Sequence, residues 1–208
     1  MINLNISELS KSYSGKEVFS KLSIEYTGGK IGVAGSNGAG KSTLLRCISG
    51  LILPDKGTVT WSVHEETLSP KQIKPHLGYA APYVELYEEL TARENLQFIR
   101  DLRSDQDCEK ISNLIHQFQL TAFADSLYGE LSSGQQQRVK LASAVVHKPS
   151  ILCLDEPGTN LDEKGHAIVE QMTQKCVDSG GIVILASNQK RELDICDVFI
   201  QLKSEVLK

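Results

Sequence analysis

Gly35-Ser36-Asn37-Gly38-Ala39-Gly40-Lys41-Ser42 is the stretch whose reading decides the fold. It meets the pattern G-x-x-x-x-G-K-[ST] at every fixed position, between an apolar run, Lys30 to Ala34, and a helical stretch from Lys41 to about Ser49. Glycines let the backbone wrap an anion with its N–H groups pointing inward, and the helix that follows adds roughly half a positive charge at its N-terminus. Lys41 brings a mobile full charge to the β- and γ-phosphates of a nucleotide, and Ser42 places a hydroxyl where Mg2+ would bridge the same phosphates. The candidate nucleotide-binding residues are therefore Gly35, Ser36, Asn37, Gly38, Ala39, Gly40, Lys41, Ser42 and Thr43. A plain connecting turn would need neither Lys nor Ser in register.

Further along, Ile151-Leu152-Cys153-Leu154 reads as a buried strand ending in two carboxylates, Asp155 and Glu156. Ligands of open α/β sheets bind at that carboxyl edge. Asp155 is placed to hold Mg2+, and Glu156 to orient or deprotonate an attacking water, although a helix N-cap pair would look similar in isolation. A helix from Gly165 to Val177 and a second apolar strand, Ile182 to Ala186, follow. Continuous apolar strands are buried on both faces, as in a parallel sheet.

Short β-rich runs fill the first thirty residues, beginning with an alternating strand from Met1 to Leu9, and a β-branched segment, Thr58 to Val63, carries the only tryptophan, Trp61. The middle of the chain changes character. Thr91-Ala92-Arg93-Glu94 fits a capping box, and Ile111, Leu114, Ile115 and Phe118 recur at helical spacing. The expectation is one α/β domain with a P-loop NTPase core and a mostly parallel sheet. Its core and N-terminal β-rich lobe span 1–82 and 148–208, split by a helical lobe inserted at 83–147.

The chain has 208 residues, 40% of them hydrophobic and 23% charged, enough for a sizeable core and against disorder. A net charge of −4 lacks the electrostatic signature of nucleic-acid binding. Apolar runs are far short of the roughly 20 residues a membrane span needs, and no leader segment is visible, so a cytoplasmic protein is expected. Five scattered cysteines (Cys47, Cys108, Cys153, Cys176, Cys196), with no C-x-x-C pair, read as buried free thiols.

Leu131-Ser132-Ser133-Gly134-Gln135-Gln136-Gln137-Arg138-Val139 narrows the class: it resembles the signature sequence of ATP-binding cassette (ABC) ATPases. Ser133 and Gly134 open a helix running to about His147, a second anion site. The resemblance covers nearly the whole chain in order, with Gly158-Thr159-Asn160-Leu161-Asp162 similar to the family's D-loop. It implies that two cassettes pair head to tail as a homodimer or heterodimer. ATP would then lie between the phosphate loop of one and Ser133, Gly134 and Gln135 of the other. It places Tyr13 at the adenine-stacking position, with packing in the β-rich lobe left open as the alternative.

As an ABC ATPase the chain would be a transporter's ATP-hydrolysing subunit, peripheral on the inner face of the cell membrane. A separate multi-spanning subunit would dock beside Pro82 to Asn95. There Tyr83, Val84, Leu86, Tyr87 and Leu90 offer an apolar surface, or else pack within the lobe. With little after its last strand, the chain is similar to small single-cassette export subunits such as those of haem export in cytochrome c maturation.

The sequence departs from the family at two places. Pro82 stands where a glutamine usually ligates Mg2+, and Asn188 where a histidine usually contacts the γ-phosphate. The catalytic set expected is Glu156, Lys41 and Asn188, with slow hydrolysis or dependence on a partner; Gln189 or a bridging water could also substitute. Two other readings share the phosphate loop: an ATP-dependent clamp in translation or DNA repair, and a small nucleotide kinase.

Overall fold

The computed structural model describes residues 2–63, 66–103 and 107–202; Met1 of the first strand and 104–106 of the helical insertion lie outside them. In chain order the elements are β1 (Ile2–Tyr13), β2 (Lys16–Thr27), β3 (Gly29–Ala34), α1 (Lys41–Ile48), β4 (Lys56–Val63) and β5 (Glu66–Leu68). Then come α2 (Pro70–Ile73), β6 (Leu77–Ala80), α3 (Ala92–Asp101), α4 (Ile111–Gln117) and α5 (Ser133–Ala144). The chain closes with β7 (Ile151–Asp155), α6 (Glu163–Asp178), β8 (Ile182–Ser187), α7 (Lys190–Leu193) and β9 (Val198–Gln201).

The strands form two sheets. One is antiparallel, in the order β2-β1-β4-β5; the other has the order β6-β7-β8-β3-β9, and every pairing in it is parallel. The short runs expected in the first thirty residues are instead a hairpin of two 12-residue strands. β1 passes irregularities without breaking: its register against β2 shifts between Ile6 and Leu9, beside Glu8 at φ 50°, as β-bulges do.

Why β7 and β8 read as unbroken apolar runs is visible in their packing. Ile151, Cys153, Ile182, Ile184 and Ala186 pack with α1 and the antiparallel sheet, through Leu44, Leu45, Leu4, Ile6 and Trp61. Their alternate neighbours Leu152, Leu154, Val183 and Leu185 join Leu96, Leu114, Phe118 and Val139 of the helical segment and Ile168 of α6. Each such side chain contributes roughly 1.5–3 kcal/mol on burial, so the parallel sheet is held from both faces. Its carboxyl edge thereby becomes a rigid shelf. The indole N–H of Trp61 donates to Ile48 O at 3.0 Å, satisfying a carbonyl at the end of α1.

Two expectations need correction. α5 ends at Ala144 rather than near His147, because Val145 leaves the helix at φ −113°, ψ 7° and Pro149 follows soon after. Only Cys47, Cys153 and Cys176 are buried, while Cys108 and Cys196 are half-buried on the flanks of the core. The capping box at Thr91 is present, with Glu94 N donating to Thr91 Oγ1 at 3.1 Å and Thr91 N to Glu94 Oε2 at 2.8 Å.

Candidate active site

β3 delivers the chain to the carboxyl edge of the parallel sheet, where Gly35 to Gly40 turn it into α1. Gly40 is required there: it adopts φ 96°, and a Cβ would lie 2.3 Å from Val18 Cγ1. Among the described residues the N–H groups of Gly38, Gly40, Lys41 and Ser42 have no acceptor within the chain, so the loop presents a set of donors at a helix N-terminus. Lys41 is 7% exposed. Its Nζ donates to Gly35 O at 2.9 Å and Ser36 O at 3.4 Å, and pairs with Glu156 Oε1 at 3.1 Å.

The two carboxylates at the end of β7 sit in different environments. Asp155 is 1% exposed, and neither carboxylate oxygen has a partner in the chain. Burial raises its pKa, and Ser42, Lys41 and Arg46 pull the other way. A buried, unpartnered carboxylate beside a hydroxyl is the donor set a divalent cation wants, so Asp155 and Ser42 fit Mg2+, with phosphate and water oxygens for its other positions. Glu156 takes the left-handed conformation, φ 47°. Its Oε2 accepts from Ser187 Oγ at 3.3 Å, and its N–H donates to Ala186 O at 2.8 Å.

Sequence reading missed Ser187. It is fully buried at the end of β8 and ties Glu156 to the loop that follows, because its Oγ also accepts from Gln189 N at 2.9 Å. The one available signal was a hydroxyl closing an otherwise apolar strand. Asn188 does reach the phosphate loop: its Nδ2 donates to Asn37 Oδ1 at 2.9 Å.

Pro82 is exposed and offers only its carbonyl, which accepts from Lys140 Nζ on α5 at 3.1 Å. Tyr13, at the tip of the β1–β2 hairpin, is 49% exposed, and Lys11 Nζ lies 5.4 Å from its ring centroid. It is therefore free of the β-rich lobe's core.

The residues of the signature-like stretch are not gathered at this loop. They sit instead against 157–162. Gln137 Nε2 donates to Pro157 O at 2.8 Å, Arg138 pairs with Asp162 at 2.5 Å, and a Cβ on Gly134 would lie 2.7 Å from Asn160 O. Ser132 caps α5. Gln135 Oε1 accepts from Ser132 N at 2.9 Å, which turns that side chain back on the helix start. Among the described residues the N–H groups of Ser133 and Gly134 have no acceptor, leaving an open anion-type helix start.

A family model described as ABC transporter matches residues 20–159. The chain belongs to the ABC transporter family. Relatives agree: the cytochrome c biogenesis ATP-binding export protein CcmA of Histophilus somni is 33% identical over 190 residues, covering 90% of this chain and 88% of that protein. The lipopolysaccharide export system ATP-binding protein LptB of Haemophilus influenzae is 30% identical over 202 residues, covering 93% and 84%.

The fold matches the dimeric ATP-binding cassette MJ0796 in a post-hydrolysis state with ADP and Pi. The TM-score is 0.83 at 22% identity, over 98% of this chain and 97% of that one. By its family the chain is an ABC ATPase. No helix among its described residues is long and apolar enough to cross a membrane.

Proposed function

We propose that the cassette binds Mg-ATP through residues Gly35 to Thr43, with Tyr13 against the adenine, and energises export through a separate membrane subunit on the inner face of the cell membrane. The convergence of Lys41, Asp155, Glu156, Ser187 and Asn188 on the unpartnered N–H groups of the phosphate loop carries this reading. Lys41 leaves Glu156 for the β- and γ-phosphates when ATP arrives, and Glu156, steadied by Ser187, directs the attacking water. Asp155 and Ser42 hold Mg2+, which when bound neutralises charge developing on the phosphates. Asn188 reaches the γ-phosphate as a neutral donor. With no glutamine at Pro82 and no imidazole at Asn188, the isolated cassette turns over slowly or needs a partner to complete its site.

Ser133, Gly134 and Gln135 open α5 away from this phosphate loop, with Gly134 against Asn160 and Gln135 folded back on Ser132, which supports their serving a second cassette's nucleotide in a head-to-tail pair. The helical lobe, residues 83–147, moves with that pairing. A groove of about 860 Å3 between this lobe and α1 to β4 is the docking place for the membrane subunit. Its rim carries Leu51, Leu53, Tyr87 and Phe98, all exposed and apolar, against which an amphipathic helix of that subunit fits. The names of the CcmA and LptB relatives, both export proteins, support the direction.

The test is recovery of the tagged protein from detergent-solubilised native membranes, with partners identified by mass spectrometry. A multi-spanning membrane protein is expected. Recovery of soluble partners, ribosomes or nucleic acid alone would overturn the transport reading while leaving the ATP chemistry.

A further inference from the structure

β1 outruns the strand beside it. β4 pairs with β1 only as far as Ser10, opposite Lys56, while β1 continues to Tyr13, so among the described residues the end of β1 has no strand on that side. The side chain of Asp55, in the turn that leads into β4, takes the place of one. Its Oδ2 accepts from Ser12 N at 2.6 Å, its Oδ1 from Lys11 Nζ at 2.7 Å, and its own N–H donates to Ser10 O at 2.9 Å. The Lys11 ammonium so held lies 5.4 Å from the centroid of the Tyr13 ring, within reach of a cation–π interaction. Across the hairpin, Val18 packs on Gly40 of the phosphate loop. The tip that carries Tyr13 is therefore anchored from two sides, to the turn at Asp55 and to the phosphate loop, although the tyrosine itself is exposed.

Resting on the function proposed above, and deepening its account of the base, we propose that Asp55 and Lys11 are positioning residues for the nucleotide: they fix the end of β1 and hold a cation against one face of the Tyr13 ring, so that the purine base is taken on the other. An exposed aromatic side chain loses rotamer freedom when a ligand stacks on it, and part of that cost disappears when the backbone and one ring face are already held. The ammonium also draws π-electron density toward itself, which lowers the repulsion between the far face and the π-cloud of a stacked base. Stacking tolerates any base, because every base has a π-face. The pair thus sets how firmly the base is held and leaves the phosphates to the loop at Gly35 to Ser42.

The experiment uses isothermal titration calorimetry on the full-length protein with Mg2+. It compares a non-hydrolysable ATP analogue with inorganic tripolyphosphate, which has the phosphates and no base. The Lys11 and Asp55 side chains are 15% and 42% exposed, and Asn at position 55 keeps an acceptor for Ser12 N, so Asp55→Asn tests the pair without removing the backbone anchor. Asp55→Asn and Lys11→Met each weaken the analogue about three- to tenfold, the size expected for ordering one side chain, and leave tripolyphosphate within about twofold. The sign separates positioning from bulk electrostatics: Asp55→Asn removes a negative charge, so electrostatics alone would tighten both polyanions. Lys11→Arg keeps the pair and the cation on the ring and recovers most of the affinity. The double variant of Asp55→Asn with Lys11→Met is no worse than either single one.

Analogue affinity within about twofold of wild type in both single variants overturns the proposal. So does an equal loss for tripolyphosphate, which would place the pair's effect on the phosphate loop. Tyr13→Ala separates the two readings. If it leaves analogue binding unchanged, the base platform falls and the positioning with it. If it weakens the analogue while Asp55→Asn and Lys11→Met do not, the positioning alone falls.

Discussion

Replacing Glu156 by Gln should separate two consequences of one contact. Lys41 Nζ lies 3.1 Å from Glu156 Oε1, with the two side chains 7% and 20% exposed. At that separation the gross attraction is about 5 kcal/mol for an effective dielectric of about 20. Most of it is offset by desolvation, leaving roughly 1.5–3 kcal/mol for a charge-assisted hydrogen bond. Glutamine keeps an acceptor for Lys41 but not the charge, so the contact falls to roughly 0.5–1.5 kcal/mol.

ATP must draw Lys41 away from this partner. The variant should therefore bind ATP about five- to tenfold more tightly, the equivalent of about 1–1.4 kcal/mol. Removing a negative charge beside an incoming polyanion acts in the same direction. Turnover should move the opposite way, falling about 10²–10⁴-fold if the carboxylate is the general base. Phosphate release measures the second effect, and equilibrium dialysis with a non-hydrolysable analogue measures the first. Turnover kept within tenfold refutes the assignment of Glu156, and weakened ATP binding refutes the competition for Lys41.

Three further outcomes follow from groups the fold buries. Asp155→Asn should abolish Mg2+-dependent ATP binding yet raise the melting temperature of the nucleotide-free protein at pH 7. Its folded pKa is raised by burial, so its contribution to stability is present at acid pH and lost as pH rises through that pKa; relief of the unpartnered charge contributes about 1–3 kcal/mol, read by differential scanning calorimetry. His147 is buried, its Nε2 is 2.9 Å from Leu77 O and its pKa is pushed down to about 4, so folding holds it neutral; the stability it contributes is full above about pH 6.5 and is lost as pH falls toward 4, by about 3 kcal/mol, and urea melts across that window should flatten in His147→Gln. Asn95 is 1% exposed and bonds the backbone of Tyr87, Leu90 and Thr91, so Asn95→Ala should lower the unfolding free energy by about 2–4 kcal/mol in chemical denaturation and loosen the groove rim carrying Tyr87.

What could be read from the sequence was whatever local chemistry determines. The phosphate loop is contiguous, and its glycines, lysine and serine act through their own backbone and their own helix start. β7 and β8 were legible because both their faces are covered, which leaves no polar residue to interrupt the run. The capping box at Thr91 was legible because its partner is three residues away. Long-range contacts left no such trace. The bond from Asn188 to Asn37 spans 151 residues, and the one from Ser187 to Glu156 spans 31. Neither has a periodicity or spacing that marks it. The length of the first hairpin was obscured for another reason. Glu8 and Lys21 take positive φ although neither is glycine, so the irregularities that let β1 and β2 run on carry no residue signature.

Pro82 and Asn188, the two departures that the resemblance implies, share one physical consequence. At Asn188 a neutral amide gives one of its two N–H groups to Asn37, another neutral side chain of the phosphate loop. At Pro82 the only polar atom is a carbonyl, and Lys140 already holds it. Neither position offers a charge that changes when the γ-phosphate comes or goes. The charge that does change is next to Lys41, where Glu156 must give up its ion pair as the phosphate takes its place. Ser187 connects that carboxylate to the backbone of Gln189, one residue past Asn188. Loss of the Lys41 contact therefore has a direct route to the loop after β8. On the proposed function, a cassette built this way would report its nucleotide by rearranging internal partners of the phosphate loop. Ser187→Ala should thus reduce turnover more than it reduces ATP affinity.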